Sequence, residues 1–493
     1  MSFGKWPNLA RAGQTLLLLE AGTDLGDNRN YSEIINFNLA GNDEKSRWDF
    51  FIKHSNDEER EAKYEKMTWR KTDGSFYVGL EPPEGAKRLG IYYPRAATLG
   101  GCAMHNGGVC TLPADDEWDA IAELTGDDGW LTSNMRKYFE KMEANEYLPV
   151  GTAEHGFTGY VNTTIGDPAF MEQSSDVQKI ASEIIKLTGG DAARDINACD
   201  PERDQSTGVF GLVSHADKFG KRAGTNTYIR KTLADPAKFP LTEPTAIGVE
   251  FLEGPYQYEA DPRYNGTKGE LGQVFANKEI IISGGSFNSP QILKLSGIGP
   301  ADELEKFDIP LVKDLPGVGE RLADNYEASV LSLASKPLNG SAAPVAVLLK
   351  TPTARKNRNV HAWCASFSFE GFYPGFPTNY GPAEYENAEI NLNFFEEGGD
   401  EDLTEISDGV KKDYIKLQAY SHYATSTCAI GPAEDKMAVL DSKFRVHGVK
   451  NLRVVDASAF PSVPGAFSVC PTFMLGEKSS ADILTEVATG APS

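Results

Sequence analysis

The sequence predicts an α/β fold: a doubly wound domain interleaved with an α+β part that carries its own antiparallel sheet. Three observations carry this reading. The apolar run Leu16–Leu19 stops at Glu20, and Leu452-Arg-Val-Val stops at Asp456 near the other end of the chain. Between them, Ile280-Ile-Ile282 runs into Gly284-Gly285. Short apolar runs of this kind read as strands buried on both faces, and ligands of doubly wound sheets bind at their carboxyl ends. Because these strands lie at both ends and in the middle, the second part must be inserted between them.

Composition narrows the field. The chain has 493 residues, 40% of them hydrophobic and 24% charged, which is globular and excludes wholesale disorder, collagen and coiled coil. Its 48 basic and 71 acidic side chains give a net charge of −23. That balance argues against a nucleic-acid or anionic-membrane partner. No apolar stretch reaches the roughly 18 residues that a membrane helix needs. None of the six cysteines forms a CxxC pair, so neither a disulfide scaffold nor a structural metal site is expected. Met1–Gln14 has no apolar leader segment, and compartment and oligomeric state stay open.

Taken in order, Thr15–Leu19 reads as a strand. The acid that ends it, Glu20, stands where dinucleotide-binding folds hold a ribose hydroxyl. Residues 41–90 are polar and read as a solvated, partly helical excursion without chemistry. Residues 98–109 place four glycines in nine positions (Gly100, Gly101, Gly107, Gly108), so this backbone turns sharply or approaches a ligand closely. Residues 115–150 read as helical, with Met135, Tyr138, Phe139 and Met142 at core spacing. After Ile282, Asn288 or Ser289 is expected to cap a helix with Pro290 in its first turn and Gly297 at its stop. Residues 326–447 are mixed and include the acidic loop Glu396–Glu401. The last helix is expected near Pro471, with Phe473, Gly476, Ser480, Leu484 and Val487 on one face.

Three segments together resemble the glucose–methanol–choline (GMC) oxidoreductases, and the flavour is closest to fungal members of secondary metabolism. Tyr93-Pro-Arg95 through Asn106 is similar to the family's first signature. Gly284–Pro290 with Leu295–Pro300 is similar to the second. Phe444–Val449, Asn451–Ser458, Pro461 and Gly476–Lys478 are similar to the C-terminal block. The resemblance implies an FAD-dependent enzyme that oxidises an alcohol, or processes an aldehyde, with a histidine as base. It implies that Glu20, Leu99, Gly100, Gly101, Asn106, Gly107, Gly108, Val109, Asp456, Ala457, Phe467 and Ser468 hold the flavin. It also implies a division into FAD-binding parts 1–45, 241–325 and 448–493, an excursion or lid 46–90, a flavin loop 91–114, and substrate parts 115–240 and 326–447.

The family pattern is departed from in three places. No Gly-x-Gly-x-x-Gly turn precedes Leu16; the N-terminus therefore reads as incomplete, which predicts weak FAD binding. The segment after Phe239 is short, where a further strand is expected. The catalytic histidine falls on His422 or, one residue on, Tyr423, two alignments that would point to opposite faces of a strand. Phe467 stands where a second His or Asn is expected and cannot donate a hydrogen bond. Cys102 reads as a small packed residue, and His105 as a backbone-bonded imidazole or, through the resemblance, a flavin attachment point. A non-catalytic homologue and a lyase on the same fold are the competing readings.

Overall fold

The computed structural model describes residues 18–489, apart from 166–174, 190, 201, 234–245, 255–256, 258–260, 262, 277, 329–344, 353, 355–356, 365–370, 376–416 and 418. The expected first strand up to Leu17, the sought glycine turn, the acidic loop 396–401 and most of the short segment after Phe239 lie outside the described residues.

Residues 41–90 differ from expectation. They hold most of a four-stranded antiparallel sheet made of β1 (Arg47–Ile52), β2 (Met67–Arg70), β3 (Phe76–Val78) and β4 (Lys87–Ala96), ordered β1-β4-β2-β3. Helix is confined to short turns such as Glu58–Glu61. Most of its charges are exposed, but one pair is taken into the fold. Arg47 pairs with the buried Asp49 at 2.7 Å, and Arg263 approaches the same carboxylate at 3.8 Å.

The doubly wound part shows as a parallel pair, Ile280–Ile282 with Leu452–Val454, in the register Ile281 to Arg453. The helix Gly285–Leu295 follows Ile282 across the glycine turn, where Gly285 has φ +82°. It starts earlier than the predicted cap, so Pro290 lies inside it. A proline there has no N–H for the carbonyl four residues back. Thr427 Oγ1 donates to that carbonyl of Ser286 instead, at 2.7 Å. Gly297 ends the turn at φ +77°, as read.

A second sheet orders the strands Val360–Cys364, Val345–Leu349, Gly208–Gly211 and Asp191–Arg194. Its first three strands are antiparallel and its last pair parallel. The helices Asp115–Thr125 and Thr132–Met142 bury Met135, Phe139 and Met142 in the main core, with Tyr138 packed against it. The last helix, Val469–Thr489, packs on Thr132–Met142, with Lys141 paired to Glu477 at 2.7 Å, and it buries Phe473, Gly476 and Ser480. Val487, expected on the packed face, is 43% exposed; Ile483 is the buried residue of that last turn.

Candidate active site

A cavity of about 770 Å³ opens where β1, the end of β4, the glycine-rich loop, the start of helix Gly285–Leu295 and segments 422–424, 456–457 and 467–469 meet. It is large enough for a ring system together with a small second ligand. Trp48, Phe50, Phe287, Phe372, Tyr423 and Phe467 are among the residues that line it, so aromatic rings form a substantial part of its walls.

The glycine-rich loop makes one wall. Gly100, at φ +106°, starts a short turn over Gly101–Met104 that carries the chain toward the cavity. Cys102 and His105 to Val109 line the cavity; Leu99, Gly100 and Gly101 do not. Asn106 Oδ1 accepts from Arg222 Nη1 at 2.7 Å and from Gly108 N at 3.0 Å. Its oxygen is therefore engaged, and the amide NH₂ is what remains for a ligand. No atom lies within 4 Å of where a Cβ on Gly107 would sit. Burial would raise the Cys102 thiol, but Arg95 and a hydrogen bond with His105 outweigh it and hold the thiol well below its ordinary range.

His422 and Tyr423 both line the cavity. They follow the strand Tyr420–Ser421, which pairs with Tyr326–Glu327, and the strand ends before them. Strict alternation stops there, so the two alignments are not exclusive. The His422 ring packs against Phe372 (4.7 Å between centroids) and Tyr423 (4.1 Å). Its Nδ1 is buried and has no hydrogen-bond partner among the described residues. Burial, with the charges of Arg95 and His105, holds the imidazole pKa well below its ordinary value. Tyr423 differs: its hydroxyl donates to Glu327, and burial plus that carboxylate pushes its pKa well up. Phe467 is 8% exposed and packs edge-on against Tyr423 at 5.5 Å.

Asp456, Ala457 and Ser468 also reach the cavity. The Asp456 carboxylate is largely committed to the protein. It accepts from Gly285 N (2.9 Å), Ser289 Oγ (2.6 Å) and Ser458 N (2.8 Å), and so locks the helix N-terminus to the strand Leu452–Val454. Glu20 does not line this cavity. Its Oε1 accepts from Gly22 N at 2.9 Å, while Oε2 is buried without a partner among the described residues, and burial raises its pKa. An orphaned buried acceptor of this kind suits a ligand hydroxyl.

Sequence reasoning missed Trp48, Phe50, Asp324 and Glu327. The alternation of Trp48, Phe50 and Ile52 was the available signal for the first two. Nothing local marks Asp324 and Glu327, which act across the fold.

Comparison with known proteins agrees with this geometry. Two family models described as GMC oxidoreductase match residues 86–327 and 382–476. Patulin synthase of Aspergillus clavatus is 25% identical over 82% of this chain and 80% of its own. Mitochondrial choline dehydrogenase of Mus musculus is 26% identical over 83% of this chain and 78% of its own. Among solved structures, a formate oxidase superposes with a TM-score of 0.70 at 16% identity, covering 98% of this chain and 96% of that one. An FAD-dependent oxidoreductase from Chaetomium thermophilum gives 0.66 at 15% identity, covering 99% and 98%.

Proposed function

The chain belongs to the GMC oxidoreductase family and is an FAD-dependent oxidoreductase acting on alcohols; from that premise we propose that His422 takes the hydroxyl proton of a small aromatic or polyketide-like primary alcohol held in the aromatic cavity. The residues present suit the flavin. The amide NH₂ of Asn106 and the open space beside Gly107 face the cavity. At a distance, Oε2 of Glu20, unpartnered among the described residues, offers an acceptor for a sugar hydroxyl. FAD, when bound, supplies the hydride acceptor.

The observation that carries the assignment is the contrast between neighbours. His422 is a neutral imidazole on the cavity wall, its buried Nδ1 without a partner among the described residues, whereas the Tyr423 hydroxyl is already spent on Glu327. A depressed pKa keeps the imidazole in its proton-accepting form across physiological pH, at some cost in basicity. Tyr423 and Phe467 shape the substrate side of the cavity and hold no proton in this scheme. Phe467, on the wall, offers no second hydrogen-bonding group beside His422. The likeness to patulin synthase supports a place in secondary metabolism.

The test is anaerobic reduction of the FAD-loaded protein by a panel of benzylic and aliphatic primary alcohols. Bleaching near roughly 450 nm by the benzylic members supports the reading; a flavin band that no alcohol bleaches refutes it.

A further inference from the structure

The orientation of His422 poses a problem that its own ring does not solve. A general base is usually aimed by a hydrogen bond from its second nitrogen to a third group. Nδ1 of His422 has no such partner among the described residues, and aromatic rings pack around it. Residues 422–424 also lie outside regular secondary structure, so their backbone groups need partners from elsewhere.

Those partners come from one cluster. Arg95 Nη1 donates to the His422 carbonyl at 3.0 Å. The Tyr423 N–H donates to Asp324 Oδ1 at 2.8 Å. The Ala424 N–H donates to the Tyr93 hydroxyl oxygen at 2.7 Å, and that hydroxyl in turn donates to Asp324 Oδ2. Tyr93 and Arg95 are two apart on β4 and so share a face of that strand; the guanidinium lies 4.6 Å from the Tyr93 ring centre. Two successive peptide groups, 422–423 and 423–424, are therefore held by three side chains that are themselves in contact. The chain continues into a bridge between Thr425 and Ala323, which places the far end of the segment beside Asp324.

We infer that Tyr93, Asp324 and Arg95 are positioning residues: they clamp the peptide backbone of residues 422–424 and thereby aim the His422 ring at the reacting hydroxyl. The inference rests on the reading of His422 as the base. The charged and titratable groups around the ring are Arg95 at the end of β4, His105 in the glycine-rich loop, and the neighbouring Tyr420 and Tyr423. None of them holds Nδ1, so the ring's direction is inherited from its backbone.

The experiment is a double-mutant cycle in the FAD-loaded full chain with benzyl alcohol as the probe. Tyr93→Phe removes one hydroxyl, which loosens the Ala424 peptide and leaves Asp324 one donor short. A misplacement of the base by a fraction of an ångström to 1 Å should lower kcat roughly 10- to 100-fold while KM stays within about 3-fold. His422→Ala should lower kcat by about 10²–10⁴. The double variant should be no slower than His422→Ala alone, because the clamp acts only through that ring. A second readout needs no turnover. In ¹⁵N-histidine NMR spectra, the His422 signal, identified by its loss in His422→Ala, should titrate at higher pH in Tyr93→Phe as water reaches the freed ring. If Tyr93→Phe does not melt cooperatively, Asp324→Asn replaces it, since its Oδ1 still accepts from Tyr423 N–H. Losses that multiply in the double variant, or an unmoved titration with unchanged kcat, overturn the clamp. Wild-type turnover in His422→Ala overturns the base assignment itself and is recognisable as that separate failure.

Discussion

Raising the pH through about 9 should remove a block of stability that resides in one buried histidine, and His155→Gln should lack that response. The His155 side chain is 1% exposed and sits between two carboxylates. Nδ1 is 2.9 Å from Glu143 Oε2, and Nε2 is 2.9 Å from Asp195 Oδ2. The carboxylates are otherwise supplied with donors: Glu143 by Thr163 Oγ1 (2.7 Å) and Gly156 N (3.0 Å), Asp195 by Tyr147 Oη (2.9 Å) and Asn197 N (3.0 Å). Burial alone would lower the His155 pKa, but the hydrogen bonds and charges of Asp195 and Glu143 outweigh it and raise the pKa to about 9. An unfolded histidine titrates near roughly 6.5, so between these values the folded chain binds the extra proton and gains stability from it. The contribution is full below about pH 6.5 and fades as pH rises through about 9. At about 1.4 kcal/mol per unit it amounts to roughly 3 kcal/mol. Unfolding entropy of about 2.1 cal/mol/K per residue gives about 1 kcal/mol/K for a chain of 493 residues, so the effect is worth about 3 °C in Tm. The assay is calorimetry of wild type and His155→Gln from pH 6 to 10. Other titrations cancel in the difference, which should narrow by about 3 °C between pH 6.5 and 9.5. A difference that stays constant with pH refutes the reasoning.

At the cavity, Tyr423→Phe should lower benzyl alcohol turnover less than about 10-fold while His422→Ala costs at least about 100-fold, measured as the rate of flavin reduction. Because the His422 pKa lies well below its ordinary value, kcat/KM should stay flat as pH falls through about 6.5, with any acid limb below it. An acid limb centred at or above that pH would contradict the environment described. Glu20→Ala, which removes the unpartnered acceptor, should weaken FAD binding by about 1–2 kcal/mol, a 5- to 30-fold rise in Kd by fluorescence titration. Gly22→Ala would place a Cβ 1.7 Å from the Ala97 carbonyl oxygen, backbone against backbone. It should displace the Thr23–Thr98 bridge that seats the glycine-rich loop, seen as loss of the flavin band on gel filtration together with a lower Tm.

How far the sequence could be read depended on how local each signal was. The parallel strands announced themselves because burial on both faces makes them short apolar runs, and Gly284-Gly285 marked the turn that follows. The sheet of β1 to β4 did not, because its first strand is only half-buried and carries Arg47 and Asp49, which pair with each other in the fold. The glycine-rich loop was legible as a close approach, but Arg222, which holds its Asn106, was not, nor were Asp324 and Glu327, which hold Tyr423, since each lies far in sequence from its contact. The ambiguity between His422 and Tyr423 shows most clearly where pattern reasoning stops. It was framed as a question of register, in which one residue must face in and the next out. That rule holds only while the strand lasts, and the pairing with Tyr326–Glu327 ends at Ser421. Beyond it the backbone follows side chains rather than a ladder, and both residues reach the cavity. What separates them is then chemical: the hydroxyl of Tyr423 is committed to Glu327 with its pKa pushed well up, whereas burial keeps the His422 imidazole neutral. A base must have a free lone pair at neutral pH, and of the two only the imidazole offers one.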